Sequence, residues 1–451
     1  MKNIVYQEKV LEVEPYGIEQ IPADERHGHP RQMFSIWFAI NLNVVTWFTG
    51  FLGIEFGLSI GYAIIAIIIG NVIGAAYLAA GSCIGAELGQ PLIPASRKFF
   101  GRFGVFGLSL LNLINNIGWL AVNLLLAVMA FRTIIPVGFH VSVIILTAVT
   151  LLVAIYGYNF IHKFAHYMSI IVGILFIGIT AISFKNLPSI LSHSSHAAGS
   201  FSWSMFILCI AVTFAYQISY CPISTDYSRY MPSATPKRKL WKASFAGAFS
   251  VCLWLEILGA ATATLGMNSD PMIFLAQLMG PFTIPAVITV ILSILPVNAM
   301  TMYSGGLAAI AMGIPLKRWA SALLTAGVAA LLISFGSSNL SHTYSNFLLL
   351  LSYWITPWLI IVLCDFFYSK KHPQFSGNNK SWVGIAAFLG GILVSVPFMS
   401  SALYTGPIAA NYLKGTDISY FVSLLVSMLI YLFVIKLLNA SQGISTAAEM
   451  E

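Results

Sequence analysis

Charge is what this chain has least of. Only 8% of its 451 residues are Asp, Glu, Lys or Arg, and 58% are hydrophobic. A soluble domain carries about 25% charged residues, so a soluble globule is excluded and a polytopic membrane protein is expected. Cysteine is scarce as well: Cys83, Cys209, Cys221, Cys252 and Cys364 are isolated, with no CxxC pair. Neither a disulfide framework nor a metal knuckle is indicated. All nine His residues fall in loops or near helix ends, which leaves no support for a haem held between membrane helices. No long loop is present to fold as a separate domain. The first 30 residues hold no apolar core of a signal peptide, so the first spanning helix is expected to direct insertion.

What the chain does have is apolar runs of about 20 residues, the length that crosses a bilayer. Twelve are read, at 33–52, 60–82, 104–131, 140–158, 165–184, 204–222, 243–266, 283–312, 319–335, 345–368, 382–400 and 419–438. With an even count both termini share one side. That side receives 19 of the 22 Lys and Arg residues, and the other keeps only Arg132, Lys185 and Lys414. The positive-inside rule then places both termini in the cytoplasm. The net charge of +7 is thereby a matter of topology, and no nucleic-acid partner is expected.

Two spans carry helix-breaking sequence. Span 1 contains NLNVVTWFTGFLG, with Asn41, Asn43 and Thr46 at mid-depth. Span 6 contains TFAYQISYCPISTDYSRY, with Gln217, Ser219 and Pro222. Proline removes a backbone donor and clashes with the preceding turn. Broken backbone at membrane depth is tolerated only where protein or a water-filled cavity covers it. The breaks lie five helices apart, as in transporters built of two inverted repeats with the substrate between the broken helices. The common occurrence of Gly and Pro in membrane helices is the competing explanation. The chain then divides into an N-terminal tail (1–32), repeat 1 (33–184), repeat 2 (204–368), two appended helices (382–438) and a C-terminal tail (439–451).

Span 3 raises a question of its own. LLNLINNIGWLAVNLLL sets Asn112, Asn115, Asn116 and Asn123 around Trp119. An unpaired amide in hydrocarbon costs on the order of 4–8 kcal/mol in the harshest reference solvent, so these side chains must face protein, water or a ligand.

Seven stretches in order carry a resemblance: EPYGIEQIPADERHG, GAELGQPLIPASRKFFGRFG, GWLAVN, STDYSRYMP, LEILGA, VNAMTMYSGGLA and SYWITPWLIIVLCDFFY. Together, from about residue 14 to about 368, they resemble the nucleobase:cation symporter-1 family and within it the purine-cytosine permeases. The resemblance implies an all-α, twelve-helix protein of the LeuT type: a 5+5 inverted repeat plus two C-terminal helices. It implies a multi-pass protein of the cell membrane that imports a nucleobase. It also implies a site between spans 1, 3, 6 and 8. In GWLAVN the stacking position matches Trp119 and the amide position matches Asn123, one turn apart on one helix face. Stacking on a base is worth roughly 1–3 kcal/mol whichever base it is, and an Asn amide offers a donor beside an acceptor. Asn115 is expected to support Trp119, and Asn112 and Asn116 to pair with neighbouring helices, as polar residues in membrane bundles do.

Span 6 departs from the family pattern. Gln217 is read as a base-edge reader, Tyr220 as a stacking or closing residue, and Tyr216 and Ser219 as further candidates. Gln217 satisfying backbone freed near Pro222 is the structural alternative. Asn298 matches a substrate-facing Asn in span 8, and Thr301 replaces a second Asn of fungal relatives. Asn43, in the span 1 break, completes the candidate set. Sodium-coupled relatives place two hydroxyl ligands where Leu292 and Ser293 stand here. Leu292 offers no oxygen to a hard cation, so sodium is disfavoured and no metal site is expected. Glu256 lies inside span 7, where an ionisable residue is by default a functional candidate, and it is the proton-coupling candidate. A buried neutral carboxyl paired for structure alone is the alternative.

The expected activity is therefore secondary transport of cytosine or purines, with the proton as coupling ion and no bound cofactor. Allantoin, a hydantoin, uracil or a pyrimidine vitamin precursor are the competing substrates. An enzyme would need a converging acid, base or metal set, which is missing. A channel usually repeats one polar ring by symmetry, which a single asymmetric chain does not show. A receptor would keep the site and lose the flux. The expected partners are the substrate and the bilayer; a monomer is compatible with the sequence, which does not set the oligomeric state.

Overall fold

The computed structural model describes residues 18–155, 158–196, 201–266, 270–314, 318–335, 340–368, 381–401 and 404–448. Outside them lie residues 1–17 of the N-terminal tail, with Lys2, Lys9 and the EPYG that opens the first motif. So do Lys317, Lys370, Lys371, Lys380 and residues 449–451.

Helix dominates the described residues, with one isolated bridge between Ser400 and Thr405. The first half runs α1 (Pro30–Asn41), α2 (Val44–Glu55), α3 (Ile60–Leu88), α4 (Leu92–Ala95), α5 (Arg97–Ile134), α6 (Phe139–Ile155), α7 (Tyr158–Lys185) and α8 (Leu187–His196). The second half runs α9 (Trp203–Ile218), a 3-10 turn Cys221–Ile223, α10 (Ser224–Ser228), α11 (Lys237–Ala263), α12 (Pro271–Met279), α13 (Thr283–Ala311), α14 (Arg318–Phe335) and α15 (Leu340–Tyr368). Helices α16 (Ser381–Ser395), α17 (Pro407–Asn411) and α18 (Ser419–Ala448) close the chain. Every predicted span falls mainly on helix, with residues 156 and 157 of span 140–158 outside the described residues. Among the described residues, nine helices are long and apolar enough to cross a membrane, ten if the bent pair α1–α2 is one span. The apolar stretches of α6 (Phe139–Ala154) and α14 (Ala320–Phe335) are shorter, so length and composition mark nine or ten crossings where twelve are expected. Helix α18 also continues to Ala448, so most of the predicted C-terminal tail is helical.

Outward stripes follow helical spacing. Leu425, Leu429, Phe433 and Leu437 of α18 are exposed, as are Ile170, Ile174 and Ile177 of α7. Such apolar faces suit lipid, where a soluble helix would carry charge. Helix α9 is the opposite case, buried from Cys209 to Ile218. Close approach brings the inner helices together. A Cβ on Gly50 of α2 would stand 1.8 Å from the Glu256 carbonyl of α11, and one on Gly259 would stand 1.9 Å from that of Trp47. Only hydrogen fits at either crossing.

Both expected breaks are present. Helices α1 and α2 meet at 63°. Asn43 holds that corner: its Oδ1 accepts from the Val45 and Thr46 amides at 2.8 and 3.1 Å, and its Nδ2 donates to the Ile40 carbonyl at 2.8 Å. An N-cap of this type satisfies donors that the helix start leaves open. Helix α9 stops at Ile218, and Ser219 donates its hydroxyl to the Tyr216 carbonyl at 2.6 Å. Pro222 then sits in the 3-10 turn before α10.

Ahead of α1, residues 18–29 are strapped to the ends of two other helices. Ile21 N–H donates to the Gly89 carbonyl at 2.9 Å and His27 N–H to the Tyr230 carbonyl at 2.6 Å. The Arg26 guanidinium donates to the Ile21 carbonyl of the strap at 3.0 Å and to the carbonyls of Ala86 and Glu87 at 3.2 and 3.4 Å, capping the last turn of α3. Cations belong at that end of a helix.

Candidate functional site: an aromatic cage between two broken helices

Trp119 of α5 is 8% exposed and stands among four rings. Tyr220 lies nearly parallel to it, with centroids 6.0 Å apart and planes 22° apart. Tyr216, Tyr344 and Phe347 meet it edge-on at 5.7, 6.2 and 5.6 Å. Its Nε1 is buried without a hydrogen-bond partner among the described residues. Asn123, one turn on, is buried on the same helix. The structure thus brings Trp119, Tyr216 and Tyr220 together.

Hydroxyls tie this cage to the first break. Thr46 Oγ1 donates to the Asn41 carbonyl at 2.5 Å and lies 2.6 Å from Tyr216 Oη, which lies 3.3 Å from Tyr220 Oη. Thr49 and Tyr344 hydroxyls meet at 2.8 Å. Sequence reasoning missed Tyr344 and Phe347 altogether. They come from α15, which the family-based site leaves out, and an aromatic in an apolar span carries no local signal of function.

Other candidates fall into separate groups. Gln217 is held elsewhere: its Nε2 donates to Asn71 Oδ1 at 2.8 Å and to the Ala248 carbonyl at 3.4 Å. Asn71 of α3 in turn donates to Glu256 Oε2 at 2.5 Å. All three residues are fully buried. Asn71 was also unforeseen, although an amide between Gly70 and Gly74 in an apolar helix is the available signal. Asn298 of α13 is fully buried, and neither of its amide atoms has a partner among the described residues. Thr301 and Ser293 donate along their own helix, to Val297 at 2.9 Å and Val290 at 2.7 Å. Asn116 donates to the Asn112 carbonyl at 2.7 Å and Asn115 to Asn112 Oδ1 at 3.5 Å. These bonds run along α5, where pairing with neighbouring helices is the sequence expectation for Asn112 and Asn116.

A small cavity, partly open to solvent, lies at the end of the bundle that carries the strap. Ile18, Asn112, Pro222 and Ser304 are among its walls. Asn112 is seven residues from Trp119, roughly 10 Å along the helix, so the cavity and the cage share α5.

Two broken helices closing on such a cage define a membrane transporter of the LeuT-type fold. The chain matches, over residues 20–423, the family described as permeases for cytosine/purines, uracil, thiamine and allantoin. It is 30% identical to a putative purine-cytosine permease, YxlA, of Bacillus subtilis, covering 94% of this chain and 96% of that one. It is 26% identical to the purine-cytosine permease fcyB of Emericella nidulans, over 91% of this chain and 86% of the other. Among solved structures, Mhp1, a nucleobase-cation-symport-1 family transporter, in a closed conformation with bromovinylhydantoin bound, superimposes with a TM-score of 0.72. That likeness covers 95% of this chain and 96% of Mhp1 at 17% identity, and speaks to the fold. The protein belongs to the nucleobase:cation symporter-1 family, in its purine-cytosine permease branch.

Proposed function

We propose that the protein imports cytosine or purine bases across the cell membrane by alternating access, driven by proton symport, with both termini in the cytoplasm. The observation that carries this reading is the nearly parallel ring pair Trp119 and Tyr220 at 6.0 Å. A flat ring between two others needs about 3.5 Å on each side, or about 7 Å in all. Widening the pair by roughly 1 Å admits one planar heterocycle and little else. The Asn298 amide, buried without partners among the described residues, supplies a donor and an acceptor for the edge of such a ring. Native proteins pair nearly all buried polar groups, and a polar ligand supplies the pairing here. Asn123 is assigned to the same edge, and Asn43 to keeping the break in span 1 open to the substrate.

Proton coupling is assigned to Glu256, a fully buried carboxyl on α11. Sodium is assigned no site. Ser293 donates its hydroxyl to the Val290 carbonyl at 2.7 Å, and its neighbour is Leu292. Nineteen of 22 cationic residues on the terminal side support the orientation. A monomer suffices for this mechanism, since every proposed group comes from one chain.

The test is uptake of radiolabelled cytosine, adenine and hypoxanthine into proteoliposomes under imposed proton or sodium gradients. Uptake that follows the proton gradient and disappears in Trp119→Ala establishes the reading. Absence of uptake of all three bases by folded protein overturns it.

A further inference from the structure

The buried chain Gln217–Asn71–Glu256 joins three helices, and its polarity is fixed. The Asn71 amide atom 3.0 Å from the Ile67 carbonyl must be its nitrogen, since a backbone carbonyl only accepts, and the same atom donates to Glu256 Oε2 at 2.5 Å. The other amide atom of Asn71 is therefore its oxygen, and it accepts from Gln217 Nε2 at 2.8 Å. Asn71 thus presents a donor to the carboxyl in either protonation state. Gln217 is the last residue but one of α9, directly beside the break in span 6 and next in sequence to Tyr216 of the cage. The space is tight: a Cβ on Gly74 of α3 would stand 2.5 Å from the Gln217 Cβ.

From this geometry we infer that Asn71 is the positioning residue that passes the protonation state of Glu256 to the break in span 6. The inference rests on the proton-coupled reading above. When ionised, the carboxylate holds the Asn71 N–H in a charge-assisted bond, roughly twice as strong as a neutral one. When one face opens, hydronium gives its proton to a carboxyl oxygen and leaves as water. The O–H bond forms, the charge is lost, and the pull on Asn71 weakens. Gln217 and the end of α9 are then freer to move with Tyr216 and Tyr220. On the other face the proton returns to water and the chain tightens again. The titratable groups that feel Glu256 are Cys209 of α9, Cys252 of α11 and Tyr344 of α15. Thiols and phenols are ordinarily neutral near pH 7, which leaves the carboxyl as the group of this set whose charge an added proton can remove.

The experiment uses the full chain in proteoliposomes with radiolabelled cytosine, for wild type and for Asn71→Leu, Asn71→Ala and Asn71→Ser. Counterflow, which needs no net proton movement, is measured beside accumulation driven by a proton gradient, from pH 5 to pH 8. The expected result is that Leu and Ala leave cytosine affinity and counterflow within about threefold of wild type. Gradient-driven accumulation falls at least tenfold and the pH dependence of KM flattens, and Ser, which keeps a donor and an acceptor, restores part of it. Unchanged accumulation and pH profile in both Leu and Ala overturn the inference. So does a proportional loss of binding, counterflow and accumulation, or a loss of folded protein in both, since either marks a purely structural amide. A wild type that exchanges cytosine but ignores the proton gradient overturns coupling at Glu256 and this inference with it. A wild type that exchanges no base overturns the functional reading itself, and is recognised before any variant is made.

Discussion

The hydroxyls of Thr46 and Tyr216 meet at 2.6 Å, and this contact joins the two helix breaks. Thr46 has one proton, and the Asn41 carbonyl at 2.5 Å can only accept it. Tyr216 must therefore be the donor to Thr46, and its own oxygen is left to accept from Tyr220 at 3.3 Å. The breaks in spans 1 and 6 are linked by a directed row of hydroxyls, so one cannot rearrange without the other losing a bond.

That linkage predicts non-additive mutations. Thr46→Val leaves the Asn41 carbonyl with only the Asn43 N–H and removes the acceptor of the Tyr216 hydroxyl, and Tyr216→Phe removes the donor. Each is expected to cost about 1–3 kcal/mol of stability. The double variant should cost less than the sum, by a coupling of at least about 0.5 kcal/mol. Thermal melts of the four proteins measure it, and strict additivity would show that the contact carries no energy.

Trp119→Ala is expected to weaken base binding by roughly 1–3 kcal/mol, about 5- to 150-fold in Kd. Trp119→Phe keeps a ring and should lose less. Equilibrium binding of labelled cytosine reads both. Equal losses for Ala and Phe would point to the indole N–H, and not the ring face, as the important group.

Asn298→Leu offers a sharper discrimination between site and scaffold. Its amide is buried with no partner among the described residues, so replacing it with an apolar side chain of similar size should leave the unliganded protein as stable or slightly more so. The rise in melting temperature that cytosine produces in wild type should shrink or vanish. A large loss of stability without ligand would show that the amide serves the fold.

Packing at the crossing of α2 and α11 predicts a fold defect from one methyl group. Gly50→Ala puts a Cβ 1.8 Å from the Glu256 carbonyl, a backbone atom that cannot step aside. Overpacking typically costs 1–3 kcal/mol or more, and folded yield should collapse. Gly61→Ala, with nothing within 4 Å of the new methyl, is the control and should be neutral or slightly stabilising. Size-exclusion profiles and melting temperatures report both.

Much of the fold is legible in the sequence because lipid enforces simple rules. Apolar runs of the right length become helices, and breaks such as NLNVVT and SYCPIS stand out against them. The site is legible where one short motif places two groups on one helix face, as GWLAVN does with Trp119 and Asn123. It is less legible where the partner comes from far along the chain. Gln217 reads in sequence as a base-edge group, yet its amide is bonded to Asn71, 146 residues away. Tyr344 and Phe347 reach Trp119 from more than 200 positions on, and nothing local distinguishes them from ordinary core aromatics. The two short apolar stretches of α6 and α14 show a further limit. Span counting weighs composition along a line, whereas neighbouring helices decide how much of each one lipid must cover.

The strap ahead of α1 sets a leash. Arg26 is anchored to the end of α3, and only three residues separate it from Pro30, where the helix begins. Four peptide steps extend to at most about 14 Å. While the two guanidinium bonds to Ala86 and Glu87 hold, the start of span 1 stays within that chain length of the Arg26 backbone. A fuller swing requires the anchor to be cast off, so the length of a few unstructured residues limits how wide this end of the protein opens.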